Sequence, residues 1–179
     1  LAVVMLMGVF RRYGLSPGWA ALFALGWGLG TLALPYSTLL YGHQLTASLA
    51  VIALALALSD GWRRSRAVGV GALLGLMIAV DYSAALLVAT IGLFAWAVQA
   101  KRQRAHADSD GGAATTGGAR AWLVNGGLMA AGALVPLIGL FAYHTAAFGG
   151  PLTLPYEFST QPHRHMGYFM GLGVPRADV

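Results

Sequence analysis

Ala67 to Gln99 is a stretch of 33 largely apolar residues, broken near its middle by Asp81-Tyr82-Ser83. As one helix it would extend roughly 50 Å at ~1.5 Å per residue, well beyond a hydrocarbon core of ~30 Å. Cations flank it on both sides: Arg63, Arg64 and Arg66 before it, Lys101, Arg102 and Arg104 after it. Lys and Arg concentrate in the cytoplasmic loops of membrane proteins. Both ends are therefore expected on one side, and the chain must turn back. The sequence predicts a hairpin with arms 67–80 and 84–99 and Asp81 at its outer tip. Local thinning of the bilayer or burial against neighbours would accommodate such short arms.

Composition supports a membrane setting. Of 179 residues, 58% are hydrophobic and only 9% charged, with a mean hydropathy of +0.67. Soluble domains are nearer a quarter charged. The chain has no Cys, which excludes disulfides and thiolate metal sites. Its net charge of +5 is read as cytoplasmic loops, and no nucleic-acid partner is expected.

The same logic orders the other segments. Leu1 to Phe10 is apolar and ends at Arg11-Arg12, which reads as the tail of a span in a fragment of a larger protein. Ser16-Pro17 can start the next helix, Ser as its cap and Pro at its first position. The expected span 18–34 ends at Pro35. A polar, aromatic corner follows, Pro35 to Gln44 (PYSTLLYGHQ), and then a span over 44–58. Residues 100–120 read as a cytoplasmic loop, polar and Gly-rich from Ala105. A last span, 123–147, contains Pro136 as an expected kink. Residues 152–179 form an extracytoplasmic tail or loop, irregular except for a short interfacial helix near Met166 to Leu172. The predicted fold is thus all-α: a polytopic transmembrane helical bundle in a multi-pass bacterial plasma-membrane protein. In this arrangement nine of the eleven Lys and Arg share one side, and only Arg164 and Arg176 fall on the other.

Several polar residues are expected to meet at the outer face. His43 and Gln44 lie on the first turn of a span, either wetted by headgroups or donating to a phosphate or sugar hydroxyl. Asp81 is either the solvated tip of a turn or a carboxylate pointing into an outer cavity; one carboxylate alone does not make a general base. Tyr143 suits an aromatic belt, and His144 faces either cavity or water. His163 and His165 share a face in an extended chain, but without further ligands they do not make a metal site. Arg164 between them suits a lipid-linked phosphate. Gly69-Val70-Gly71 follows no strand and is assigned to helix packing, not to a dinucleotide.

The order of these signals resembles membrane glycosyltransferases of the GT-C fold, of the protein-mannosyltransferase and aminoarabinose-transferase type (family 39-like). The likeness rests on LPYSTLLYGHQLTASLAVIALALAL, on VGALLGLMIAVDYSAALLVATIGLFAWAV and on YHTAAFGGPLTLPYEF. It implies transfer of a sugar from a polyprenyl-phosphate carrier to an extracytoplasmic acceptor, without a nucleotide sugar or other cofactor. The catalytic carboxylates of that family lie in a loop outside these residues. Two departures stand out. His43-Gln44 occupies a place where many relatives are acidic, and Asp81-Tyr82-Ser83 stands where they carry Lys-Gly-Pro. The resemblance also implies that His43 and Arg164 would stabilise the departing phosphate and that an apolar groove would hold the polyprenyl tail. The competing classes are a transporter, expected to carry ionisable groups near the bilayer midplane, and a non-catalytic membrane subunit, in which the outer polar residues would not converge.

Overall fold

The computed structural model describes residues 1–38, 42–59, 63–109, 116–153, 155–158, 168–169 and 172–173. These residues are overwhelmingly helical. Seven α-helices occur in chain order: α1 Ala2–Arg12, α2 Pro17–Gly30, α3 Ala33–Thr38, α4 Gly42–Leu58, α5 Arg64–Val80, α6 Ala85–Ser109 and α7 Thr116–Phe148. Short 3-10 turns cover Tyr82–Ala84 and Pro155–Phe158. Among the described residues the only β pairing joins Tyr168–Phe169 antiparallel to Leu172–Gly173. That pairing replaces the short interfacial helix expected there. Glycines at 167, 171 and 173 weaken a helix in this stretch.

Three boundaries differ from the sequence reading, each for a local reason. The second helix ends at Gly30, not at Pro35. Thr31 is extended, its hydroxyl donates to the Trp27 carbonyl at 2.6 Å, and its oxygen takes the Ala33 N–H at 3.1 Å. Thr31 thus closes one helix and caps the next. Pro35 falls in the first turn of α3, where its missing N–H costs nothing. The expected loop at 100–120 is largely helix, because α6 runs to Ser109 and α7 starts at Thr116. Lys, Arg, Gln and Ala fill that part of α6, and all are good helix formers whatever their polarity. At Ser16 the backbone begins a helix as expected, with Pro17 in its first turn, but the Ser16 side chain makes no capping bond.

The core lies among α4, α5, α6 and α7. Leu49, Ala53 and Ala57 of α4 meet Val70, Leu74 and Met77 of α5, with Ile91 and Ala95 of α6 and Met129 of α7. The most extensive contact is between α5 and α7, and glycine makes it possible. A Cβ at Gly71 would collide with the Met129 carbonyl oxygen. One at Gly75 would meet the Ala133 carbonyl and lie 2.7 Å from the Pro136 ring. On the facing helix, Gly132 abuts the Val68 carbonyl. Small residues let membrane helices approach backbone to backbone in this way. Gly69, by contrast, has open space where a side chain would be.

Outside this core the surface is apolar. Two stretches, Tyr82–Arg102 and Trp122–Phe148, are long and apolar enough to cross a membrane. Of their most apolar 18-residue stretches only 22% and 17% is buried, whereas the core helix of a soluble protein is mostly buried. Val135 and Ile138 of α7, Leu86 and Leu93 of α6, and Leu22 and Leu29 of α2 are all more than half exposed. Exposed apolar side chains in this number suit contact with lipid or another protein.

Candidate functional site

The two ends of the packed helices have different chemistry. At one end the C-terminus of α4 gathers cations. The last carbonyls of a helix lack intrahelical donors and carry partial negative charge. Here Arg12 Nη1 donates to the Leu58 carbonyl at 2.7 Å. Arg102 donates to the Leu58 and Ser59 carbonyls at 2.9 and 2.8 Å, and Gln99 Nε2 donates to Ala57 at 3.0 Å. Arg66 adds a bond to the Ser59 hydroxyl at 2.7 Å. Ser59 therefore joins Arg66, at the start of α5, to Arg102, well along α6. The chain has turned back between them. Beside this end, Trp96 and Trp122 stack at 3.9 Å, and Trp96 Nε1 donates to the Trp122 carbonyl at 3.1 Å.

The turn lies at the opposite end. Asp81 ends α5, with its N–H on the Met77 carbonyl at 2.9 Å. Its Oδ1 accepts the Ser83 N–H at 3.0 Å and the Ser83 hydroxyl at 2.7 Å, which fixes the following 3-10 turn. Its Oδ2 is in direct contact with Nδ1 of His43, the second residue of α4. Gly42 permits this approach, since a Cβ there would lie 3.1 Å from the Val80 carbonyl. Burial by itself would raise the Asp81 carboxyl. The bonds from the Ser83 hydroxyl, His43 and the Ser83 N–H, with the charge of His43, outweigh burial and hold it below its ordinary value of 3.8.

One residue further on, the Tyr82 hydroxyl meets Nε2 of His144 at 2.7 Å. His144 comes from the end of α7 and is only 2% exposed. Tyr82 and Phe148 pack edge-on against its ring, and its Nδ1 is buried without a protein partner. His144 is thus enclosed, and its bond to Tyr82 ties α7 to the turn. Its neighbour Tyr143 is exposed.

Of the sequence-derived candidates, His43, Asp81 and His144 reach the same end, two of them in direct contact. Gln44 points along its own helix to the Ser48 hydroxyl at 3.5 Å, apart from the Asp81 cluster. Arg164, with His163 and His165, lies outside the described residues. Among the described residues, no three metal-ligating side chains cluster. Two features escaped the sequence reading. The Tyr82–His144 bond spans 62 positions and leaves no sequence signal. The Arg12, Gln99 and Arg102 cap on α4 was foreshadowed only by the bias of cations to one side.

Between α5, α6 and α7 lies an apolar groove of about 340 Å³, whose lining includes Leu74, Val88, Gly92, Trp96, Gly126 and Met129. No family model matches the chain, nor does any curated protein or solved structure compared with it.

Proposed function

We propose that this chain belongs to a multi-pass membrane glycosyltransferase that takes a sugar from a polyprenyl-phosphate donor and transfers it to an acceptor at the extracytoplasmic face of the cell membrane. The observation that carries this reading is the exposed His43 ring held by Asp81 at the end of the packed helices opposite the Arg cluster. With the Arg end in the cytoplasm, the polar cluster faces the compartment where lipid-linked sugars are used and nucleotide sugars are not. In this reading the apolar groove accommodates part of the polyprenyl chain, and Arg164 pairs with the donor phosphate. The ionisable groups sit at helix ends rather than at mid-helix, which argues against a transporter. A non-catalytic membrane subunit is the second reading, and the enclosure of His144 favours it, because its Nε2 is already taken by Tyr82.

The test uses membranes carrying the full-length protein, given a polyprenyl phosphate bearing a radiolabelled hexose or the corresponding nucleotide sugar. The expected result is label in an acceptor from the lipid donor only, with at least a tenfold loss in Arg164→Ala. Label from neither donor would favour the non-catalytic subunit, and label from the nucleotide sugar alone would reject the proposed donor.

A further inference from the structure

We propose that His43 and Asp81 form a proton-accepting dyad, in which Asp81 positions the imidazole and His43 Nε2 takes the proton from an acceptor hydroxyl. The identity of the substrate as a hydroxyl-bearing acceptor rests on the glycosyltransferase reading, and the dyad takes the proton-accepting part that the resemblance gives to a carboxylate outside these residues; the dyad itself rests on geometry. Asp81 is held on three sides. Ser83 occupies Oδ1 with its N–H and hydroxyl, the backbone of Asp81 is pinned to Met77, and Oδ2 is left for one ring nitrogen of His43. A carboxylate on Nδ1 fixes that nitrogen as the protonated one. In the neutral imidazole the lone pair then lies on Nε2.

Exposure separates this pair from a structural staple. The His43 side chain is 70% exposed, whereas that of Asp81 is 11% exposed. A partly enclosed carboxylate thus orients an imidazole whose ring is largely exposed, and no described residue bonds Nε2. An exposed ion pair adds little stability. His144 makes the contrast at the same end: its ring is enclosed and its Nε2 is already taken by Tyr82. Placement also depends on Gly42, whose close approach to Val80 brings the start of α4 against the residue before Asp81.

His43 Nε2 removes the hydroxyl proton as the acceptor oxygen bonds to the anomeric carbon. The bond from that carbon to the polyprenyl phosphate oxygen breaks, and the phosphate leaves with the electron pair. Asp81 stabilises the imidazolium, which then returns its proton to water or to the departing phosphate. General-base catalysis of this kind is worth roughly 10²–10⁴ in rate.

Two measurements on the full-length protein test the dyad. The first is transfer from a polyprenyl phosphate bearing a radiolabelled hexose. His43→Ala should lower kcat by roughly 10²–10⁴-fold with KM little changed, and Asp81→Asn should lower kcat by a smaller factor. Thermal unfolding of His43→Ala should match that of the parent. The second is nitrogen NMR of the His43 ring in the purified protein. The expected state has the proton on Nδ1 and a bare Nε2, with the Nε2–H form gaining population in Asp81→Asn. A parental transfer rate in His43→Ala, or an Nε2–H ring in the parent, would overturn the dyad. If the parent transfers no sugar, the glycosyltransferase reading fails, and the NMR result alone then decides the dyad: Nδ1–H supports it and Nε2–H rejects it.

Discussion

The Arg end and the His–Asp end of the packed helices both bring together polar side chains from several elements, yet they spend them differently. At the Arg end, Arg12, Gln99 and Arg102 are consumed by the Ala57, Leu58 and Ser59 carbonyls. Those bonds answer a need of the backbone itself, because the end of α4 has carbonyls without donors. At the other end the side chains bond mainly to one another. His144 is locked inside, but His43 retains an open edge. Polar convergence alone therefore does not mark a site; an oriented group with unused capacity does.

The largest effect should come from the glycine contact that fixes the position of α5, and with it both ends. Gly71→Ala puts a Cβ onto the Met129 carbonyl. Overpacking of this kind costs about 1–3 kcal/mol or more. Thermal unfolding in detergent should show that loss, together with weakened contacts at Ser59 and at Asp81. An unchanged melting temperature would mean that α5 and α7 are not in backbone contact.

Next in size is Arg102→Met, which removes two charge-assisted bonds from the end of α4. A loss of about 1.5–3 kcal/mol is expected, with kcat unchanged in the surviving folded protein. His43→Ala should do the reverse, sparing stability and removing turnover. If both variants lose stability alone, the distinction between the two ends collapses.

A smaller effect separates the ends by acid. The folded Asp81 carboxyl lies below its ordinary value of 3.8. Its stabilising contribution is therefore present above that value and is lost as pH falls through the lower folded value. Asp81→Asn should remove this acid-sensitive part of the unfolding curve, while Arg102→Met should leave it intact. Identical acid profiles in the parent and Asp81→Asn would show that the carboxyl is not specially held.

The smallest expected change is a control on the first. Gly69 lies on the same helix as Gly71 but faces open space. Gly69→Ala should be neutral or stabilising by up to about 1 kcal/mol through helix propensity. A loss as large as that of Gly71→Ala would show that any glycine in α5 matters, not the contact.

Some of this was legible in the sequence because it follows from charge and continuity. The cations on either side of Ala67 to Gln99 implied a turn near Asp81, and α5 and α6 do meet Ser59 from opposite directions. The assignment of Gly69-Val70-Gly71 to packing was half right. Gly71 makes the contact and Gly69 does not, because the two lie on different faces of α5. The helix end at Gly30 was hidden, since the Thr31 hydroxyl serves two backbone groups and leaves no pattern in hydropathy. For His43 the sequence suggested a donor to phosphate. The structure instead commits its Nδ1 to Asp81. That pairing joins positions 38 apart, and periodicity carries no information on such contacts.

An extracytoplasmic site at His43 requires the two ends to lie on opposite sides of a membrane. These 179 residues contain no Cys, so a Cys introduced at either end is the one thiol of this region. His43→Cys and Lys101→Cys would each be treated in intact cells with a membrane-impermeant thiol reagent, before and after permeabilisation. Labelling of position 43 in intact cells, and of position 101 only after permeabilisation, is the predicted result. Equal labelling of both positions in intact cells, or labelling of 101 alone, would contradict the topology and the extracytoplasmic site built on it.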